Sequence, residues 1–269
     1  MIKDHYKKEL SLDAKSSIGH ASSKDTFKIQ SWLNLNAVRF PSSGTATGID
    51  GDFGPATETA VKNFQKAHGL AESGIVDQVL FSLMTKPLSD AFTAVGTGAQ
   101  LRELIVSIAK AHLIQRPFEL VIKHQANSGP WVRSYMDGND GQNWKWCMGF
   151  VQSIIDQAAS QIGKNFKDLM PLSYSCEGIA EYAKGKGYFI SNQNVRNHPE
   201  SVQPGDFFLR HQGATWVHTG LIIAIKGNIF ETIEGNTNTD GSSNGNGVYQ
   251  RTRNFQKDIL DVFSIQSLV

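Results

Sequence analysis

Residues 147–162, CMGFVQSIIDQAASQI, carry apolar side chains at helical period: Phe150, Ile154, Ala158 and Ile162 recur every fourth position, with Val151 and Ile155 beside them. The period predicts a helix with one apolar face and puts Cys147 in its first turn. About seventy residues later the pattern becomes alternation. Leu221, Ile223 and Ile225 alternate in VHTGLIIAIK, Ile229 and Ile233 mark a second run, and Lys226-Gly227-Asn228 reads as a three-residue turn between them. Both periods in one chain point to the α+β class.

Chemistry attaches to both elements. Unpaired N–H groups and the positive end of the helix dipole stabilise a thiolate at a helix start. By itself Cys147 reads equally as a buried, inert thiol. If Ile225 opposes Ile229, His218 falls opposite Asn236, and Glu234 is its diagonal neighbour on the same face, roughly 7–8 Å away. A slip of one residue would turn Glu234 and Asn236 to the other face. A cysteine nucleophile needs an imidazole to take its proton and a third polar group to orient that imidazole. Cys147, His218 and Glu234 or Asn236 supply such a set. The other histidines, His5, His20, His68, His112, His124, His198 and His211, read as surface or internally satisfied residues.

Nearby positions carry secondary expectations. Gln142, five residues before Cys147, is placed to donate to an oxyanion and reads equally as a polar loop residue. Trp144 and Trp216 lie beside Cys147 and His218, either as core or as the rim of a cleft that grips sugar or peptide. Cys176 opens a second helix-like run, LSYSCEGIAEYAKGKG, with no matching partner, so a structural thiol is expected. A disulfide between Cys147 and Cys176 would silence the nucleophile.

The order Cys147, PGDFFLR (204–210), HTGLIIAI (218–225), TIEGNT (232–237) resembles the CHAP family of cell-wall amidases and endopeptidases over residues 100–262. The resemblance implies a papain-like α+β domain, a helix bearing the nucleophile packed on an antiparallel sheet bearing the histidine. It also implies Cys147 as nucleophile, His218 as base, Glu234 as its orienting partner and Asn236 as a further polar support. The substrate implied is peptidoglycan, cut either between muramic acid and L-alanine or at a peptide bond, since the family does both. The approach to the nucleophile, DGNDGQNWKWC, departs from the family pattern. No cofactor is required. Calcium is the alternative that Asp137, Asn139 and Asp140 raise, because some family members bind it, although the EF-hand pattern is incomplete here.

The N-terminal third carries an independent signal. FKIQSWLNLNAVRF, GIDGDFGPATETAVKNFQKAHGL and SGIVDQVLFSLM predict two helices about a DG turn and a third short helix. Pro55 suits a first helical turn, Gly51 a positive φ, and Ala60, Val61 and Phe64 an apolar stripe. Over residues 26–86 the pattern resembles the peptidoglycan-binding domain that accompanies many wall hydrolases. Asp50 and Asp52 are expected as turn and cap groups.

With 269 residues and 40% hydrophobic content, the chain has room for two domains and a sizeable core. The expected organisation is a flexible arm at 1–25, the three-helix module at 26–86, a linker at 87–99 and the cysteine-hydrolase domain at 100–269. A net charge of +1 and the lack of a basic cluster or phosphate-cradling glycine motif argue against nucleic-acid partners. The charged start lacks a secretory apolar run and no segment reaches transmembrane length. The resemblance therefore implies a monomer made in the cytoplasm that reaches the wall as a phage lysin does, or by injection into a neighbour, with an immunity protein expected in the second case. The rival expectations are a non-catalytic wall-binding protein and a papain-like acyltransferase.

Overall fold

The computed structural model describes residues 2–268. The chain is α+β: helices fill the N-terminal half and a six-stranded antiparallel sheet the C-terminal half. The N-terminal module comprises α1 (Ser23–Arg39), α2 (Pro55–Ala67) and α3 (Gln78–Met84). Ser22 caps α1 by accepting from Asp25 N–H, and Pro55 occupies the first turn of α2, where its missing N–H costs nothing. Ile29, Trp32 and Leu33 of α1 meet Ala60, Val61 and Phe64 of α2 in a shared core. The DG turn between them closes on the buried Gln30. Its carbonyl oxygen accepts from Asp50 N–H and Gly51 N–H, and its amide donates to Asp50, Asp52 and Thr57. Gly51 sits at φ +82°, a conformation that a Cβ disfavours. Asp50 is thus a turn group, and the bonds from Asp52 N–H and Gln30 hold its carboxyl below the usual range.

The segment expected as a flexible arm is docked. A 3-10 helix, Ile2–Glu9, packs on α6 (Pro130–Tyr135), with Tyr6 stacked on Phe92 at 4.7 Å and Glu9 paired to both edges of the Arg133 guanidinium. Asp13 and Ala14 donate backbone N–H to the buried Asp25. The expected linker is likewise structured. Residues Lys86–Phe92 form α4, which buries Leu88, Ala91 and Phe92. Composition suggested a loop because the Pro and the small residues of 86–99 were read apart from the apolar surface that buries this short helix.

After α5 (Leu101–Ile114) a two-stranded ribbon, β1 (Leu120–Ile122) and β2 (Gln125–Ser128), leads into α6. Then comes α7, Cys147–Gln161. Periodicity predicts one apolar face, but every residue from Cys147 to Ala159 is buried. The reason is position: β5 and β6 cover one side of α7, while α5, α6 and the N-terminal 3-10 helix cover the other. Its buried glutamines find internal partners, while Ser153 Oγ has none. Gln157 accepts from or pairs with His112 and donates to Ala91 and Ala94 carbonyls, and Gln152 donates to Pro171. Truncating the fully buried Phe150 to Ala in such a core costs about 3–5 kcal/mol.

Helices α8 (Phe166–Leu169), α9 (Cys176–Lys186) and α10 (Asn192–Asn197) precede and flank the sheet. Its strands are β3 (Phe189–Ile190), β4 (Phe207–Gln212), β5 (Thr215–Lys226), β6 (Ile229–Thr237), β7 (Gly247–Asn254) and β8 (Leu260–Phe263), in the order β3-β8-β4-β5-β6-β7. Asp206 of the PGD run is a fold junction, accepting from Gln203 N–H, Ile265 N–H and the Arg102 guanidinium. The β5–β6 turn differs from expectation. Lys226 opposes Ile229 across the two residues Gly227-Asn228, so the register there is one residue off the predicted one. A bulge at Ile223 restores it, and Leu221 opposes Ile233.

Candidate active site

The bulge matters because it decides which side chains meet. With Leu221 opposite Ile233, Glu234 projects toward position 220, and Gly220 has no side chain to block it. A Cβ there would lie 2.4 Å from Glu234 Cγ, so the glycine admits the carboxylate beside His218. His218 Nε2 and Glu234 Oε2 are 2.8 Å apart, both residues fully buried. Glu234 Oε1 accepts from Thr232 Oγ1 at 2.6 Å and from Arg253 Nε at 2.8 Å, and Arg253 Nη2 donates to Oε2. Burial alone would raise this carboxyl, but the bonds from Arg253 and His218 outweigh it and hold Glu234 at about 2. It is a fixed anion.

The other ring nitrogen, His218 Nδ1, is buried without a hydrogen-bond partner. Burial would lower the imidazole; the neighbouring Cys147 and the bond to Glu234 overcome this and raise His218 to about 9. Cys147 moves the opposite way. The thiol of Cys176, 3.9 Å from its sulfur, contributes most to lowering it; burial opposes the shift, and His218 and Met148 N–H add to it. Cys176 is pushed up, first by Cys147 and then by burial. Both shifts favour thiolate on Cys147 and a proton on His218. No side chain caps the start of α7, so its first N–H groups are not engaged by a cap.

Other expected site residues lie elsewhere. Asn236 is not opposite His218: the β6–β7 register shifts after Glu234, Asn236 adopts φ +56°, and its amide donates to Asn127 Oδ1 at 2.8 Å and Gly245 O at 2.9 Å. On its other side His218 opposes Arg210 of β4. Gln142 is exposed, its side-chain oxygen accepts from Ala126 N–H, and none of its hydrogen bonds reaches Cys147. Asn127 joins Gln142 to Asn236, and Glu119 accepts from Trp146 Nε1 beside them, so these amides form a separate network next to the site. Trp216 is buried near the start of β5, an inner strand, rather than on a rim: its indole donates to Asp261 at 2.8 Å and Lys184 lies over its ring. Trp144 is 36% exposed and meets Tyr174 edge to face.

The three side chains that raise the calcium alternative each have a partner within the protein. Asp140 accepts from Gly129 N–H and Arg133, Asp137 faces His5, and Asn139 donates to Met136 O. Among the described residues no group of three or more His, Cys, Asp or Glu side chains is placed to hold a metal ion. Arg253, Thr232 and Gly220 were missed by sequence reasoning. The one available signal was that a buried carboxylate demands a cation, but Arg253 follows a nine-residue loop (238–246) whose path the sequence does not reveal.

Residues 22–84 match the peptidoglycan binding domain family. The zinc D-Ala-D-Ala carboxypeptidase of Streptomyces albus G is 40% identical over 63 residues, 23% of this chain. The chain spans 25% of the length of that relative, and 63 residues is also the length of the family match. No solved structure matches the chain. These similarities connect the chain with the cell wall and leave the sheet domain to be read from its own geometry. No helix among the described residues is long and apolar enough to cross a membrane.

Proposed function

We propose that the chain is a peptidoglycan hydrolase that cleaves an amide bond in the peptide portion of the wall, with Cys147 as nucleophile, His218 as base and acid, and Glu234 as the group orienting His218. The observation that carries this reading is the buried line Cys147, His218, Glu234, closed by Arg253, in a chain whose N-terminal quarter matches a peptidoglycan binding domain.

The geometry supports a definite sequence of steps. The Cys147 thiolate attacks the scissile carbonyl, and the oxyanion that forms lies at the uncapped start of α7, where backbone N–H groups and the helix dipole stabilise it. His218, already protonated, gives its proton to the leaving amine. It then takes a proton from water, which attacks the acyl-enzyme and releases the acid and the thiolate. Glu234 does not exchange protons. Arg253 keeps it ionised, so it stabilises the imidazolium and fixes the ring with Nδ1 toward the thiol.

The relative's name brings in zinc, but the likeness is as short as the module, and the described residues of this chain offer no three-donor cluster, so no step is routed through a metal. The same reading places the site of action at the wall, reached as phage lysins or injected effectors reach it, with an immunity protein in the second case. Mass spectrometry of purified peptidoglycan treated with the full chain tests it directly. New amine and carboxylate termini in stem or cross-bridge, absent with Cys147→Ala, are expected. Binding without turnover would favour a wall-binding protein, and amine-exchanged products an acyltransferase.

A further inference from the structure

Cys176 has no place in the line from Cys147 to Glu234, yet its sulfur is 3.9 Å from that of Cys147. Both thiols are free, and each is the first residue of a helix, α7 for Cys147 and α9 for Cys176. The loops leading into these helices are themselves joined. Trp144, three residues before Cys147, meets Tyr174, two residues before Cys176, with ring centroids 6.1 Å apart at 77°. Two chain segments thus hold two thiols face to face, at 2% and 6% exposure, inside a packed core.

We propose that Cys147 and Cys176 form a reversible disulfide site, in which Cys176 is the resolving thiol that captures an oxidised Cys147 and withdraws the nucleophile from service. This rests on the reading of Cys147 as the nucleophile. A disulfide has its sulfurs about 2.05 Å apart, so the two must close by about 1.9 Å. Cys147 is the member that reacts first, because nucleophilicity toward an oxidant follows thiolate character.

With a peroxide as oxidant the step balances. The Cys147 sulfur attacks one peroxide oxygen, the O–O bond breaks, and hydroxide leaves and takes a proton from His218 to become water. Cys147 is then a sulfenic acid. The Cys176 sulfur attacks it, the S–O bond breaks, and the departing hydroxide takes the Cys176 proton. Two thiols have lost two electrons and hydrogen peroxide has become two waters. A dithiol reverses the change by exchange, becoming a cyclic disulfide itself. Without Cys176 the sulfenic acid stays exposed to a second oxidation, to sulfinic acid, which dithiols do not reverse.

The test treats the reduced full chain with excess hydrogen peroxide, enough to supply both oxidations of a lone thiol, quenches with catalase, and follows two readouts: peptide mapping after alkylation, and peptidoglycan digestion before and after dithiothreitol. A cross-linked peptide joining Cys147 and Cys176, at least a ~100-fold loss of digestion and recovery on reduction are expected. In Cys176→Ser the same treatment is expected to leave Cys147 as sulfinic acid and digestion unrecovered. Sulfinic acid at Cys147 with Cys176 still alkylated in the wild-type chain would overturn the proposal. So would a cross-linked form as active as the reduced one. The peptide map needs no variant and no activity, so a cross-link in a protein inactive even when reduced would uphold the disulfide site while removing the hydrolase reading.

Discussion

Helices α7 and α9 both begin with a cysteine, and both present the first residue of a helix to the same small volume, but the two thiols end in opposite states. Cys147 is lowered and Cys176 raised, although a helix start favours the thiolate at each. The difference comes from what surrounds each helix. Helix α7 is enclosed by sheet and helices and points its first residue at His218, whereas α9 buries only Cys176, Ile179, Ala180 and Ala183 and brings no cation to its thiol. Within such a pair the imidazolium decides which sulfur takes the charge, and the second thiol, kept neutral, donates to the first.

The largest expected effect breaks that asymmetry at its source. Cys147→Ala and His218→Ala should each lower digestion of purified peptidoglycan by on the order of 10⁴-fold, about equally, because groups that act as a unit are not additive. Cys176→Ala, measured under reducing conditions, should stay within about tenfold of wild type and move the acidic limb of the rate profile to higher pH, as the donor to the thiolate is lost. Equal losses at both cysteines would mean that the two helices do not differ in role.

Next in size is the anchor behind His218. Arg253→Met leaves Glu234 buried with His218 as its only charged partner, and Glu234→Gln leaves Arg253 without its carboxylate. Each should cost about 3 kcal/mol in urea unfolding, the range for breaking a buried pair. Glu234→Gln should also lower the rate by less than His218→Ala does, since an amide oxygen still accepts the imidazole N–H. An Asn236→Ala variant more damaging than Glu234→Gln would transfer the orienting role to the amide network.

A smaller effect lies in pH. His218 rises from 6.5 to about 9 on folding, so its contribution to stability is complete below pH 6.5 and lost as pH climbs through 9. Glu234, lowered to about 2, contributes fully above pH 4.5 and loses this as pH falls toward 2. Cys147, lowered on folding from the ordinary thiol range, offsets this loss below pH 9, so Tm should hold between pH 6.5 and 9 and decline above 9, where digestion should also fall as the imidazolium loses its proton. A Tm flat to pH 10 would remove the ion pair.

The smallest expected change concerns the docked N-terminus. Glu9→Ala should cost about 1.5–3 kcal/mol through its bonds to Arg133, which still keeps Asp140, and leave the rate on soluble fragments unchanged.

Much of this was legible along the chain and some was not, for definable reasons. The α+β class, the turn chemistry of Asp50 and Gly51, and the meeting of His218 with Glu234 follow from period and spacing. The turn was misread as three residues, and only the bulge at Ile223 returned the strands to the predicted register, a compensation invisible to alternation. Asn236 failed because a left-handed residue after a second irregularity re-aims a side chain that strict alternation would send to His218. Arg253 and the docking of residues 2–9 depend on contacts between segments more than a loop apart, and local pattern carries no information about those.

The pairing of Glu9 with Arg133 joins positions 124 residues apart. During synthesis the first helix therefore emerges long before its berth exists, and nearly half of the chain must follow before Arg133 is made. Through that interval Tyr6 and Glu9 lack these partners, so the seam can close only after the segment bearing Arg133 has emerged.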